Sequence, residues 1–154
     1  MPRSETVTHV MAPPERVFDI SLDVDVHAAS MAGSSEEPVG GVTAGALKMG
    51  DTVTWRARHF GIRWRMTSMI SAYDRPEYFV DEQVSGPFKY WRHAHYFESD
   101  GRGGTTVGDI IELAAPLGPL GRIAEMFSLR RCMSDLIRAR NDYIKQVAEN
   151  RSRG

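Results

Sequence analysis

Cysteine is almost absent from this sequence: Cys132 is the only one among 154 residues, so no disulfide can form within the chain. Disulfides belong mainly to oxidising compartments and are rare in the cytoplasm. The first residues also lack the apolar core of a secretory signal peptide. Together these two features lead us to expect a cytoplasmic protein.

Long apolar runs and a surplus of one charge are missing as well. No run approaches the roughly 18 residues that are needed to cross a bilayer. The formal net charge is −1, which gives no electrostatic reason to expect nucleic acid or a membrane surface as a partner. The glycine-rich stretch 40–45 lacks the strand–loop–helix context of nucleotide-binding loops. We therefore expect no nucleic-acid partner, no membrane insertion and no cofactor.

What the sequence does contain is a series of alternating segments separated by turn residues. Alternation places successive side chains on opposite faces of a strand. Strands are predicted over 5–11, 39–43, 51–60, 62–73, 78–84, 88–98 and 105–115. Because short turns join most of them, the pattern indicates an antiparallel meander.

Three helices complete the predicted elements. Pro13 and Pro14 suit a first helical turn, and Glu15 favours the positive end of the helix dipole. A second short helix is predicted over 24–31. Apolar residues then recur at helical spacing from about Leu120 to Ala148, which predicts one long amphipathic helix.

The most informative stretch is Gly86-Pro-Phe-Lys-Tyr-Trp-Arg-His-Ala-His-Tyr-Phe-Glu98. If it is extended, one face carries two imidazoles among large side chains: Lys89, Trp91, His93, His95 and Phe97. The other face mixes aromatic residues with charges: Phe88, Tyr90, Arg92, Ala94, Tyr96 and Glu98. We interpret the first face as turned inward, toward a partly polar cavity.

The neighbouring strands supply two carboxylates. One phase of strand 78–84 turns Phe79, Asp81 and Gln83 inward, but the opposite phase, Tyr78, Val80, Glu82 and Val84, is equally apolar, so both stay open. The next strand turns Val107, Asp109 and Ile111 inward. Carboxylates beside imidazoles fix their tautomers, so three uses remain: a self-satisfied network, ligand orientation or acid–base catalysis.

A metal site is a further use of two histidines spaced as His-x-His. His93 and His95 share one face, and an aspartate could supply a third ligand, as zinc sites require. No cysteine or defined third position supports this use. We therefore predict that no metal is bound.

The order of elements resembles the START-like, or SRPBCC, superfamily over nearly the whole chain. The motifs that carry the resemblance are Ala12-Pro-Pro-Glu-Arg-Val-Phe, Gly86-Pro-Phe-Lys-Tyr-Trp-Arg-His-Ala-His-Tyr-Phe and Pro116-Leu-Gly-Pro-Leu-Gly-Arg. The last two are similar to a bacterial polyketide cyclase/dehydrase-like subgroup. The resemblance implies one α+β domain over 1–154 with the helix-grip fold. In it, a seven-stranded curved antiparallel sheet wraps around the long C-terminal helix, and two short helices lie between strands 1 and 2.

The resemblance also implies an apolar cavity between sheet and helix that takes a small lipid-, polyketide- or aromatic-like molecule. The residues expected to contact it are Trp55, Phe79, Trp91, His93, His95, Phe97 and Met133. The alternative is a cyclase/aromatase-type enzyme that uses His93 or His95 with Asp81 or Asp109 as acid–base groups. No catalytic set is shared across the superfamily, so none is transferred. The oligomeric state stays open, with a homodimer among the options.

Overall fold

The computed structural model describes residues 3–31, 35–59, 62–114 and 122–152. These residues form seven strands and three helices. The strands are β1 (Arg3–Val10), β2 (Glu37–Gly41), β3 (Thr52–His59), β4 (Ile62–Asp74), β5 (Tyr78–Ser85), β6 (Tyr90–Ser99) and β7 (Thr105–Ala114). The helices are α1 (Pro14–Ser21), α2 (Val24–Ser30) and α3 (Arg122–Ser152).

All seven strands belong to one antiparallel sheet, in the order β1-β7-β6-β5-β4-β3-β2. The order follows the chain from β2 to β7, as short turns between strands require, and β1 adds to the free edge of β7. Register shifts bend the sheet between Thr67 and Ser68 and between Ile70 and Ala72. With α1 and α2 between β1 and β2, this architecture confirms the predicted α+β helix-grip fold.

The two short helices begin where the sequence predicts. Pro13 precedes α1, whose first residue is Pro14, and the Asp23 side chain caps α2 by accepting from the backbone N–H groups of Asp25 and Val26. The buried face of α1 carries Phe18, which contacts the rings of three sheet residues edge-on: Tyr73, Phe79 and Phe97. This aromatic cluster fixes α1 on the inner face of the sheet.

The long helix α3 packs on β1, α1 and α2. Its buried side chains recur at helical spacing: Met133, Ile137, Arg140, Asn141, Ile144 and Ala148. The helix extends four residues beyond the predicted end at Ala148. Among the described residues, no helix has the length and apolar character needed to cross a membrane.

One prediction about the central stretch is wrong. Strict alternation predicts Lys89 inside and Phe88 outside, but Phe88 is buried and Lys89 is exposed. Strand β6 begins only at Tyr90, so the alternation does not reach these residues. The side chain of Gln83 instead holds the turn, since it donates to the carbonyl of Phe88 and accepts from its N–H. From Trp91 onward the predicted alternation holds.

Candidate functional site

A cavity lies between the inner face of the sheet and the helices α2 and α3. Its volume is about 150 Å³. Most of the described residues that line it are apolar, among them Trp55, Ala57, Trp64, Phe88, Met133 and Leu136. Polar groups are concentrated on a few positions, including Asp81, His93, His95 and Arg140. Such a division between apolar wall and few polar groups is typical of small-molecule pockets.

The residues that line this cavity show which face of β5 is turned inward. Phe79 and Asp81 line it, so the phase that turns these two residues inward is the one the protein adopts. Val80 is nonetheless 2% exposed, and it lies on the opposite face beside its register partner Ala94, which is also buried. Both faces of β5 are therefore covered at this point, which explains why the sequence alone left two phases equally apolar.

Asp109 is the centre of a buried polar network. Its Oδ1 atom lies 2.8 Å from Nε2 of His93, and its Oδ2 accepts from Nδ2 of Asn141 at 2.6 Å. Asn141 Nδ2 also donates to Thr8 Oγ1 at 3.2 Å. Asp109 is 1% exposed and does not itself line the cavity, so it acts on the cavity through neighbours that do: His93, His95 and Arg140.

His95 lies between two carboxylates. Its Nε2 is 2.8 Å from Asp81 Oδ2, and its Nδ1 is 3.2 Å from Asp109 Oδ1. The second approach has ion-pair distance without hydrogen-bond geometry, since Nδ1 forms no hydrogen bond with the described residues. The ring stacks on Phe79 at 4.1 Å and on His93 at 3.6 Å between centroids. These contacts hold both imidazoles in place.

A buried cation completes the network. Arg140 is 4% exposed and lines the cavity. Its Nη2 donates to the backbone carbonyl of Ser21 at 3.0 Å, and its Nη1 reaches Asn141 Oδ1 at 3.5 Å and Asp109 Oδ1 at 4.0 Å. Burial lowers the pKa of Arg140, against the attraction of Asp109 and Asp81. An arginine remains protonated in proteins even so, and its charge compensates a buried carboxylate.

The pKa values of the other groups follow from the same surroundings. Burial, together with the repulsive charge of His95, lowers the pKa of His93 to about 4, despite its hydrogen bond to Asp109. Burial alone would raise the pKa of Asp109, but the hydrogen bond from His93 and the close approach of His95 hold it well below its usual range. Asp81 likewise has a lowered pKa, because the hydrogen bond from His95 and the charge of His93 outweigh burial. At neutral pH, His93 is therefore neutral and both carboxylates are ionised.

A second imidazole–carboxylate pair lines another part of the cavity. His27 Nε2 on α2 lies 3.4 Å from Glu36 Oε1, and the His27 ring lies 4.4 Å from that of Trp55. Both members of the pair are partly exposed, at 26% and 14% of their side chains. The pair and the network around Asp109 place polar groups at two separate positions of a mostly apolar wall.

Most of the residues predicted to contact a ligand do line the cavity: Trp55, Phe79, Trp91, His93, His95 and Met133. Phe97 does not, because it packs against Phe18 and Phe79 in the core beneath α1. Of the four acid–base candidates, Asp81, His93 and His95 line the cavity, whereas Asp109 lies behind His93.

Sequence reasoning missed Arg140 and Asn141. Both lie on the stripe of α3 that Met133, Ile137 and Ile144 define, at spacings of three and four residues. Two polar side chains within an apolar helical stripe must be paired in the interior, which is a signal for a buried polar network. That signal was readable in the sequence.

The residues Asp81, His93 and His95 also present three ligand atoms within 4.8 Å of one another. Two features of their geometry argue against a metal ion. A metal lies close to the plane of each imidazole that binds it, whereas these two rings are stacked, with planes only 26° apart. In addition, Nε2 of His93 already faces Asp109, and Nε2 of His95 already faces Asp81.

Comparison with known families gives one match over nearly the full chain. Residues 1–149 match the family described as polyketide cyclase/dehydrase and lipid transport. The chain belongs to this family. A comparison with curated protein sequences found no match.

Solved structures confirm the fold at low sequence identity. A protein from Thermus thermophilus has a TM-score of 0.79 and 17% identity, with 98% of this chain and 99% of that chain covered. The Zhui aromatase/cyclase from a Streptomyces species has a TM-score of 0.72 and 14% identity, with coverages of 98% and 95%. A START superfamily protein from Mycobacterium smegmatis has a TM-score of 0.69 and 10% identity, with coverages of 96% and 97%.

Proposed function

We propose that this protein binds a small, mostly apolar molecule, lipid-, polyketide- or aromatic-like, in the cavity between the sheet and α3. The observation that carries the proposal is the cavity itself, with aromatic residues such as Trp55, Trp64 and Trp91 in its wall. Burial against such a wall supplies affinity, and the few polar groups orient the ligand. The family's description, which includes lipid transport, supports the same use.

Binding is favoured over catalysis by how the imidazoles are used. Nε2 of His93 is hydrogen-bonded to Asp109. Nε2 of His95 faces Asp81, and its Nδ1 faces Asp109. A proton shuttle needs a ring nitrogen within reach of the substrate, and paired nitrogens do not provide one. Of the four ring nitrogens of His93 and His95, only Nδ1 of His93 is left for that role.

A cyclase/aromatase-type enzyme is the second candidate, since His93 and Asp81 both line the cavity. Such an enzyme would convert a bound polyketide-like substrate with His93 or His95 and Asp81 or Asp109 as acid–base groups. A carrier returns the same compound unchanged. Mass spectrometry of a polyketide-like compound before and after incubation with the protein distinguishes the two.

We also propose that binding requires no cofactor and no metal, and that the protein acts as one domain in the cytoplasm. The single cysteine supports the location, because disulfides are rare in the cytoplasm. The stacking of the His93 and His95 rings supports the proposal that binding requires no metal.

The test is to fill the cavity. Ala57 lines it, and Arg58, the next residue on β3, points to the exposed outer face. Ala57→Leu should weaken the binding of butylbenzene roughly tenfold or more, because accommodating extra methylenes in a packed interior costs about 1–3 kcal/mol. Arg58→Leu adds the same side chain on the other face and should leave the affinity unchanged.

Calorimetric titration gives the affinities, and a thermal melt of each variant shows that it is folded. Equal affinities for the two variants and the unmodified protein would place the ligand elsewhere. A complete absence of butylbenzene binding by the unmodified protein would contradict the proposal directly.

A further inference from the structure

The polar network has a direction, which is set by Arg140. A guanidinium only donates hydrogen bonds. Because Nη1 of Arg140 reaches the side chain of Asn141 at 3.5 Å, the atom that faces it is the amide oxygen. The amide nitrogen of Asn141 then points the other way and donates to Oδ2 of Asp109 at 2.6 Å. The orientation of the amide thus follows from the charge of its neighbour.

The direction continues through Asp109 to His93. The carboxylate accepts from Asn141 on one oxygen, and the guanidinium 4.0 Å from the other oxygen favours the ionised form. An ionised carboxylate only accepts, so the proton of the 2.8 Å contact with His93 belongs to Nε2 of the imidazole. In a neutral ring the other nitrogen, Nδ1, is therefore an acceptor.

Nδ1 of His93 is the end of this chain of hydrogen bonds. It has no hydrogen-bond partner among the described residues, and it is not one of the polar atoms that are closed off from solvent. His93 lines the cavity, and Asp81, whose side chain is 20% exposed, lines it close by. Two acceptors thus belong to the same polar part of the wall, whereas the terminal nitrogens of Arg140 are directed at Ser21 and Asn141.

We propose that the ligand carries a hydrogen-bond donor, a hydroxyl or N–H group on an apolar body, and that Nδ1 of His93 accepts it, with Asp81 as the neighbouring acceptor. This inference rests on the proposed function and names the class of ligand that the cavity prefers. A ligand with only a carbonyl or ether oxygen would place one acceptor against another. The ligand would then cover Nδ1 of His93 without pairing it, which weakens binding.

The first test compares probes of one shape. Butylbenzene, 4-butylphenol, 4-butylanisole and 4-butylacetophenone share the apolar body and differ in the polar group. By calorimetric titration at neutral pH, the phenol should bind about tenfold more tightly than the anisole or the acetophenone. His93→Phe should abolish this preference while retaining affinity for butylbenzene. His9→Gln, which alters an exposed histidine on β1, should leave the preference unchanged.

The second test reverses the direction. In Asp109→Asn, the nitrogen of Asn141 still donates, so the new amide places its oxygen there and its NH₂ group toward His93. Nε2 of His93 then accepts and Nδ1 carries the proton, so the acetophenone should gain about tenfold on the phenol. Two-bond ¹⁵N–¹H correlation spectra read the tautomer of His93 directly, without any ligand. The unmodified protein should show the proton on Nε2.

The outcomes separate this inference from the proposed function. Equal binding of phenol and anisole, with butylbenzene still bound, would overturn the inference and leave the proposed function standing. If the unmodified protein binds none of the four probes, both the inference and the proposed function are overturned. A proton on Nδ1 of His93 in the unmodified protein would overturn the inference even if Asp109→Asn does not fold.

Discussion

The cavity wall contains two imidazole–carboxylate pairs that differ in nearly every physical respect. His93 and Asp109 are 2.8 Å apart, with side chains 7% and 1% exposed. His27 and Glu36 are 3.4 Å apart and 26% and 14% exposed. The first pair joins neighbouring strands of the sheet. The second joins α2 to residue 36, just before β2, beside Trp55 on β3.

From this difference we infer that the surroundings of a pair set how much it contributes to the stability of the fold. Asp109 accepts from two side chains and has Arg140 close by, so its charge is compensated without water. Removing one partner from such a network leaves a buried charge behind. A partly exposed pair loses less, because water replaces the missing partner. The pairing of β6 with β7 fixes His93 and Asp109 relative to each other, whereas His27 lies on α2 and Glu36 lies just before β2.

The largest expected effect comes from breaking the buried pair. Asp109→Ala should lower the free energy of unfolding by about 3–5 kcal/mol, because Arg140 loses its nearest carboxylate and His93 its hydrogen-bond partner. Glu36→Ala, the matched change in the partly exposed pair, should cost about 1 kcal/mol or less. Urea denaturation measures both. Similar losses for the two variants would show that burial does not distinguish the pairs.

A smaller effect is expected from pH. The unfolded chain protonates its histidines near pH 6.5, whereas burial lowers the pKa of His93 in the folded protein to about 4. Between these values the unfolded state binds more protons, so stability falls as the pH is lowered from about 6.5 to about 4, by on the order of 3 kcal/mol. The pKa values of Asp81 and Asp109 are lowered in the folded protein. The stability that these two carboxylates contribute is therefore lost at pH values below this window, where they become protonated.

The slope of stability against pH is the quantity to compare between variants. His93→Gln should flatten the slope between about pH 6.5 and 4, whatever its effect on stability at pH 7. His27→Gln changes the partly exposed pair and is the matched control. An unchanged slope in His93→Gln would assign the acid sensitivity to another group.

The fold was predictable from the sequence because its signals are local and repeated. Alternation in β3 and β4, helical spacing in α3 and the prolines at the start of α1 each define an element, and short turns fix the order of neighbouring strands. The inward face of β6 was predictable from Trp91 to Phe97 for the same reason. The exchange of Phe88 and Lys89 was not, because it depends on two hydrogen bonds between the Gln83 side chain and the backbone of Phe88.

The candidate site was only partly predictable. Alternation brings His93, His95 and Asp81 to one face, but it gives no means of separating cavity from core, so it also assigns Phe97 to the ligand. Phe97 packs beneath α1 against Phe18, which is distant in sequence. Likewise, the pairing of Asn141 with Asp109 depends on how α3 lies across the sheet. Such contacts are set by tertiary packing.

The smallest expected effect concerns metal. Treatment with a chelator should leave the melting temperature unchanged, because the stacked rings of His93 and His95 cannot both direct a nitrogen lone pair at one ion without rotating. Rotation would break the 2.8 Å contacts that each ring makes with a carboxylate. Added Zn²⁺ should accordingly not raise the melting temperature, since a ligand stabilises a protein only by binding the folded state. Elemental analysis provides the independent measurement: one zinc per chain that is lost in His93→Ala would overturn the prediction and make Asp81, His93 and His95 a ligand set.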